Sequence, residues 1–396
     1  MIYNKKCIED YDIKDKKVII RVDFNVPIEN GYIEDDNRIK ESLITIKYAI
    51  KKGAKVILLS HLGRIKEEAD LQTNSLSIVA IRLSELLYKQ VIFIDKTRGL
   101  EVEEAINNMK PGDIVLLENT RFEDLNGNLE SSNNETLAKY WASLGDIFIN
   151  DAFAVSHRCH ASNYGIAKYL PSGIGFLVKK ELDTMVPILE NPTKPYFAVL
   201  GGAKVKDKIG LINHLALTCD YILVGGAMAF TFLKAKGYNV GKSMVDDSSI
   251  PLVKDILAKY GKKIVLPVDI VTGVSLTKGE DVKIKNAFEL DFEDVGLDIG
   301  PKTIELFKKG ILLSKTIISN GPMGLFEKEE FSKGTNEILA AMIGDRKVII
   351  GGGDTASAVI NMGYKDKYTH VSTGGGATLE LFAGNKLPGI EIINEK

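Results

Sequence analysis

The stretch Tyr196-Phe197-Ala198-Val199-Leu200-Gly201-Gly202-Ala203-Lys204 reads as a buried strand that stops at two glycines and a lysine. The same arrangement recurs three times downstream. Gly225-Gly226 follows Tyr221-Ile222-Leu223-Val224, Gly351-Gly352-Gly353-Asp354 follows Val348-Ile349-Ile350, and Gly374-Gly375-Gly376 follows His370-Val371-Ser372-Thr373. A helix-like stretch comes after each cluster. Continuous apolar strands alternating with helices predict a parallel sheet covered on both faces. The four glycine loops would then open on one edge of that sheet. There, bare backbone N–H groups and helix N-termini suit phosphate.

Upstream the rhythm continues, but the loops change character. Apolar runs at 18–20, 56–59, 91–94, 114–117 and 147–149 alternate with amphipathic segments at 39–52 and 77–89. Leu76, Val79, Ala80, Leu83, Leu86 and Leu87 fall at helical spacing. In this half the strand ends carry cations: Arg21, His61, Arg64, Arg121 and Arg158. The ends of strands in an open α/β sheet share one crevice. One half therefore suits a nucleotide and the other a small anion.

The expected fold is α/β, with two doubly wound parallel-sheet domains joined by a hinge helix. A chain of 396 residues is too long for one ordinary core and fits two. Leu170-Pro171-Ser172-Gly173 breaks the pattern, the charged stretch 179–190 reads as a helix, and Asn191-Pro192-Thr193-Lys194-Pro195 ends it. The expected boundaries are 1–174 for an N-terminal domain, 175–195 for the hinge and 196–386 for a C-terminal domain. A net charge of -2 argues against a general nucleic-acid binder. Cys7, Cys159 and Cys219 have neither disulfide nor zinc spacing and suit a reducing cytoplasm. No uncharged apolar run reaches membrane-spanning length. The first residues lead into charge rather than an apolar signal core.

Several residues could carry chemistry. Gly201-Gly202-Ala203-Lys204-Val205-Lys206-Asp207-Lys208 lacks the spacing of a Walker motif. It does put Lys204 and Lys208 four apart, on one expected helical face near an N-terminus. Asp354 adds a carboxylate to a phosphate-type loop and could hold Mg²⁺, cap the following helix, or both. Gly374-Gly375-Gly376 offers neutral donors suited to oxygens whose charge grows in a transition state. Asp23 and Asn25 share one side of an extended strand end and could bind hydroxyls, beside arginines that take a carboxylate or phosphate bidentately. No nucleophile elbow and no convincing Cys–His arrangement is present. Direct phosphoryl transfer needs none.

Taken together, the segments resemble the phosphoglycerate kinase family. The matching stretches are RVDFNVP at 21–27, SHLGR at 60–64, ENTRF at 118–122, NDAFAVSHRCHAS at 150–162, LGGAKVKDKI at 200–209, GGAMA at 225–229, DIGPKT at 298–303, NGPMGLFE at 320–327, GGGDTA at 351–356 and STGGGAT at 372–378. The resemblance implies an N-domain for 3-phosphoglycerate or 1,3-bisphosphoglycerate and a C-domain for Mg-ADP or Mg-ATP. It also implies a closing hinge, a C-terminal segment 387–396 returning to the N-domain, and a monomer. By matching position, Asp23, Phe24 and Asn25 would meet the glycerate. Arg38, His61, Arg64, Arg121 and Arg158 would form the basic anion patch, and Leu62 and Gly63 would also contact the substrate. Arg38 and Lys204 would act on the transferring group, with Gly374 and Gly375 donating N–H groups to it. Lys208 would hold nucleotide phosphates and Gly296 would line the nucleotide site. Glu327 would take the ribose, and Gly353, Asp354, Thr355 and Ala356 would form the phosphate loop, with Mg²⁺ on Asp354. The chain departs from the family pattern at Ile65, Cys159 and Asn163-Tyr164, none of them a charged site residue. Two rivals stand beside this reading: another acyl-phosphate kinase, and a non-catalytic nucleotide-binding regulator. The second predicts loss of Lys204, Asp354 or Arg38, and all three are present.

Overall fold

The computed structural model describes residues 3–273 and 282–396. The chain divides into two compact units, Met1–Asp183 with Lys386–Lys396, and Thr184–Asn385.

The first unit is built on a six-stranded sheet. Its order is Ile92–Ile94, Ile114–Leu117, Lys55–Leu59, Lys17–Arg21, Ile147–Asn150, Ser172–Ile174. All neighbouring pairs are parallel. The central strands are buried along nearly their whole length, as continuous apolar runs require when helices cover both faces. Helix Asn37–Lys51 buries Ile39, Ile46 and Ala49, and helix Ser77–Leu87 buries Val79, Ala80 and Leu83. The last residues return to this unit. Lys5 and Glu395 form an antiparallel bridge, and the Gly389 N–H donates to the Ser156 carbonyl at 2.8 Å.

The second unit repeats the plan. Its sheet order is Ile264–Val265, Tyr221–Val224, Tyr196–Leu200, Thr316–Asn320, Lys347–Gly351, His370–Val371, again parallel throughout. Phe197, Val199, Ile317 and Ile350 pack with Phe307 and Ile311 of helix Pro301–Leu313 in one core cluster. Each of the four glycine clusters is followed by a helix: Ile209–Thr218, Met228–Ala235, Gly353–Asn361 and Gly376–Phe382. A separate antiparallel sheet, Lys283–Asn286, Asp269–Gly273, Val295–Ile299, has no counterpart in the sequence reading. The 3-10 turn Lys206–Lys208 precedes helix Ile209–Thr218, so Lys204 lies in the loop ahead of it. Lys204 and Lys208 therefore do not share a helical face. Gly202, at φ +84°, turns the chain out of the strand before a helix can begin.

Candidate active site

In the first unit the expected residues gather at the strand ends, but they divide into two kinds. Asp23 is buried and accepts from Arg38 Nη1 at 2.6 Å and from the Asn25 N–H at 3.1 Å. Asn25 Oδ1 in turn accepts the Gly63 N–H at 2.8 Å. Arg121 donates through Nη1 to the Gly63 carbonyl at 2.6 Å, while its Nε is buried without a partner. Burial, then the cations Arg158 and Arg21, push the Arg121 pKa down. Arg158 is exposed, with its Nε 3.1 Å from His157 Nε2. These arginines repel one another, and among the described residues neither Arg121 nor Arg158 forms an ion pair. Such a cluster favours a bound anion.

His61 corrects the expectation of a cationic patch residue. Its ring is buried, and burial, Arg21, Arg121 and Arg38 hold its pKa well below the usual histidine range. It is therefore neutral at physiological pH. Arg21 Nη2 lies 3.1 Å from His61 Nδ1. A guanidinium can only donate, so Nδ1 accepts and Nε2 carries the hydrogen. Phe24 and Leu62 are placed differently from the charged residues. Both side chains are buried in the core, and their backbones are engaged: the Phe24 N–H with Ser60 Oγ at 2.9 Å, and Leu62 with the Asn119 side chain through both N–H and C=O. Arg64 is exposed, and no hydrogen bond or ion pair ties it to the cluster.

The second unit holds a cavity of about 600 Å³. Gly202, Ala203, Gly226 and Ala227 supply glycine-loop backbone, and Phe230, Met244, Val295 and Leu325 supply an apolar wall. A cavity of this size with an apolar wall and a few polar groups is typical of small-molecule sites. Of the expected nucleotide residues, Gly296, Glu327 and Asp354 line it. A Cβ at Gly296 would overlap the Phe230 ring, so only glycine lets the strand come this close. Asp298 is buried at the cavity wall and accepts the Gly334 N–H at 2.6 Å and the Ile299 N–H at 2.9 Å. Burial pushes its carboxyl up to about 7 against those two bonds.

Lys208 is buried behind the loop, its ammonium donating to the Gly201 carbonyl. Burial pushes its pKa down to about 8, and Asp354 followed by Asp207 pull it back up. Lys204 is exposed. Gly353 opens the helix Gly353–Asn361, and Ala356 is half-buried on it. The Thr355 hydroxyl accepts the Gly321 N–H at 2.7 Å. Gly374 and Gly375 do not line the cavity, and the Gly374 N–H already donates to Ser372 Oγ at 3.1 Å.

Three carboxylates line the cavity, Asp298, Glu327 and Asp354, and of these Asp354 is the one that stands exposed in a glycine loop, where it could hold Mg²⁺. No group of three His, Cys, Asp or Glu residues among the described residues could enclose a metal ion. That fits Mg²⁺ in the mode where one carboxylate and nucleotide phosphates share it with water.

Sequence reasoning missed the buried Glu130 and Ser162, and with them the task of Arg21. Glu130 sits in a polar turn with no motif signal. Its only clue is a carboxylate that ends up 0% exposed. Reasoning from residues also missed Phe230, Met244 and Leu325, because wall residues carry no spacing rule.

Comparison with known proteins agrees over nearly the whole chain. The family described as phosphoglycerate kinase matches residues 8–385. Curated phosphoglycerate kinases from Enterococcus faecalis and Fusobacterium nucleatum are each 52% identical, covering 99% of this chain and 100% of theirs. The solved structure of phosphoglycerate kinase from Coxiella burnetii is 38% identical with a TM-score of 0.85, and that from Pyrococcus horikoshii is 32% identical with a TM-score of 0.86. Each structure covers 98% of both chains. An arginine cluster in one unit, a cavity of about 600 Å³ in the other and identity at this level lead to one conclusion: the chain belongs to the phosphoglycerate kinase family.

Proposed function

We propose that the arginine cluster of the first unit binds the carboxylate and phosphate of 3-phosphoglycerate, and that the cavity of the second unit binds ADP or ATP. The chain is a transferase of glycolysis. It moves a phosphoryl group reversibly between ATP and 3-phosphoglycerate, giving ADP and 1,3-bisphosphoglycerate. The observation that supports the site assignment best is the buried, partnerless Nε of Arg121 beside Arg158, Arg21 and neutral His61. A donor left unpaired in a protein interior is costly unless a ligand meets it.

In this reading Asp23 and Asn25 orient the glycerate, and Arg121 and Arg158 hold its charged ends. The proton on His61 Nε2 serves as a neutral donor to it. Arg38, half-buried and anchored by Asp23, neutralises the group in flight with Lys204. Lys208 and the loops of Gly353 and Gly375 hold phosphate oxygens, and Glu327 takes the ribose. A carboxylate oxygen of 3-phosphoglycerate attacks the γ-phosphorus as its bond to the bridging oxygen of ADP breaks, so no phosphoenzyme forms. Mg²⁺, held by Asp354 with the nucleotide phosphates, neutralises phosphate charge when bound. Because the anion residues belong to one unit and the nucleotide residues to the other, the reaction needs the helix Phe176–Glu190 to act as a hinge. Closing would also exclude water as a competing acceptor. A monomer in a reducing cytoplasm, where Cys7, Cys159 and Cys219 stay free, completes the proposal.

A coupled assay for ADP formation tests it, with ATP and a panel of 3-phosphoglycerate, acetate and carbamate, with and without Mg²⁺. Turnover is expected with 3-phosphoglycerate and Mg²⁺ alone. Preference for acetate or carbamate, or full activity in chelator, would overturn the assignment.

A further inference from the structure

We propose that Glu130 is a positioning residue for the anion site: acting through Ser162 and Arg21, it fixes which nitrogen of His61 presents a hydrogen to the bound anion. The inference rests on the assignment of the first unit to 3-phosphoglycerate. It concerns a residue outside every sequence motif.

The links run in one direction. Glu130 Oε2 accepts the Ser162 N–H at 2.9 Å, and Oε1 accepts the Ser162 hydroxyl. With its hydrogen committed to Glu130, Ser162 Oγ has only lone pairs to offer, and it accepts Arg21 Nε–H at 2.8 Å. Arg21 Nη1 donates to the Val22 carbonyl, and Nη2 reaches His61 Nδ1 at 3.1 Å. Glu130 and Arg21 are both 0% exposed, and Ser162 is too. A side chain held on three sides by hydrogen bonds in a packed interior has one orientation.

Charge requires the same partner. The acids acting on Arg21 are Glu130 and Asp23. Asp23 is already committed to Arg38 at 2.6 Å. Glu130 is thus the counter-charge that makes a buried Arg21 tolerable. Burial lifts the Glu130 carboxyl, while Arg21 and Ser162 pull it back toward the ionised form. His160 Nδ1 stands 3.9 Å from Oε1, and its pKa is held down to about 3, so it supplies no charge there.

Two variants and two readouts test the proposal. Ser162→Ala removes the middle link and leaves both charges. Glu130→Gln keeps the volume but offers an NH₂ where an acceptor is needed. His61 ring nitrogens are followed by long-range ¹H–¹⁵N spectra of the ligand-free enzyme between pH 5 and 8, and KM is measured for both substrates. The natural chain is expected to keep the Nε2–H form throughout. Both variants should show mixed tautomers. KM for 3-phosphoglycerate should rise about tenfold while KM for ATP stays within about twofold. Far-UV circular dichroism checks folding, and if Glu130→Gln does not fold, Ser162→Ala decides. A Ser162→Ala enzyme with a single Nε2–H tautomer and unchanged KM overturns the proposal. If the natural chain fails to turn over 3-phosphoglycerate, the functional assignment falls, and the ligand-free spectra still judge the relay.

Discussion

Arg38 holds Asp23 from the first turn of helix Asn37–Lys51 and remains about a third exposed, so one side of its guanidinium is free for a ligand. A charge used as the phosphoryl group moves counts in kcat more than in ground-state binding. Arg38→Ala should therefore lower kcat on the order of a hundredfold and leave ADP affinity unchanged. Steady-state kinetics with calorimetric ADP titration checks this, and a near-normal kcat would remove Arg38 from the reaction. Lys208 offers a pH test. Burial lowers its pKa to about 8, so the ammonium is present below pH 8 and is lost as pH rises through it. ADP affinity should then weaken above pH 8, approaching about tenfold per pH unit. The slope should vanish in Lys208→Met. A flat profile in the natural chain would mean that Lys208 supports the loop at the Gly201 carbonyl and nothing more. At this scale the sequence identified the charged residues but not their states. Nothing in His61-Leu62-Gly63-Arg64 says that the histidine will be enclosed by arginines and stay neutral, because that depends on which distant strands share an edge.

The elements were easier to read. The central strands were the clearest: Ile114–Leu117 and positions 56–59 are unbroken runs of buried β-branched or leucine residues, a signal that survives without any knowledge of neighbours, whereas the edge strand Ser172–Ile174 reads Ser-Gly-Ile and looked like a break in the pattern. The antiparallel sheet was not legible, since Lys283–Asn286 is mostly exposed and reads Lys-Ile-Lys-Asn, with no apolar face to mark it. The helix Phe176–Glu190 carries a feature with mechanical consequences. Pro187 lies inside it and has no N–H to give to the Asp183 carbonyl. The boundary between the two units falls between Asp183 and Thr184. The weakest turn of the helix thus coincides with that boundary. Pro187→Ala restores the missing bond, and amides around 183–187 should exchange several-fold more slowly by hydrogen–deuterium exchange. Equal exchange in the two proteins would mean that flexure lies elsewhere.

On the scale of the whole molecule, the proposed function needs two ligands, one held by each unit. Arg38, Arg121 and Arg158 belong to the first, and the cavity with Glu327 and Asp354 belongs to the second. This division was visible in the chain, because the glycine loops all fall after residue 200 and the cationic strand ends all fall before it. A ligand shifts a conformational equilibrium only by binding one state better than the other. Neither ligand alone spans both sets of residues, so the closed form should be favoured by the pair. Small-angle X-ray scattering of the free chain, of each binary complex and of the complex with 3-phosphoglycerate and a non-hydrolysable Mg-ATP analogue tests this most directly. The account predicts that the radius of gyration falls most with both ligands. Full compaction with Mg-nucleotide alone, or none with both, would contradict it.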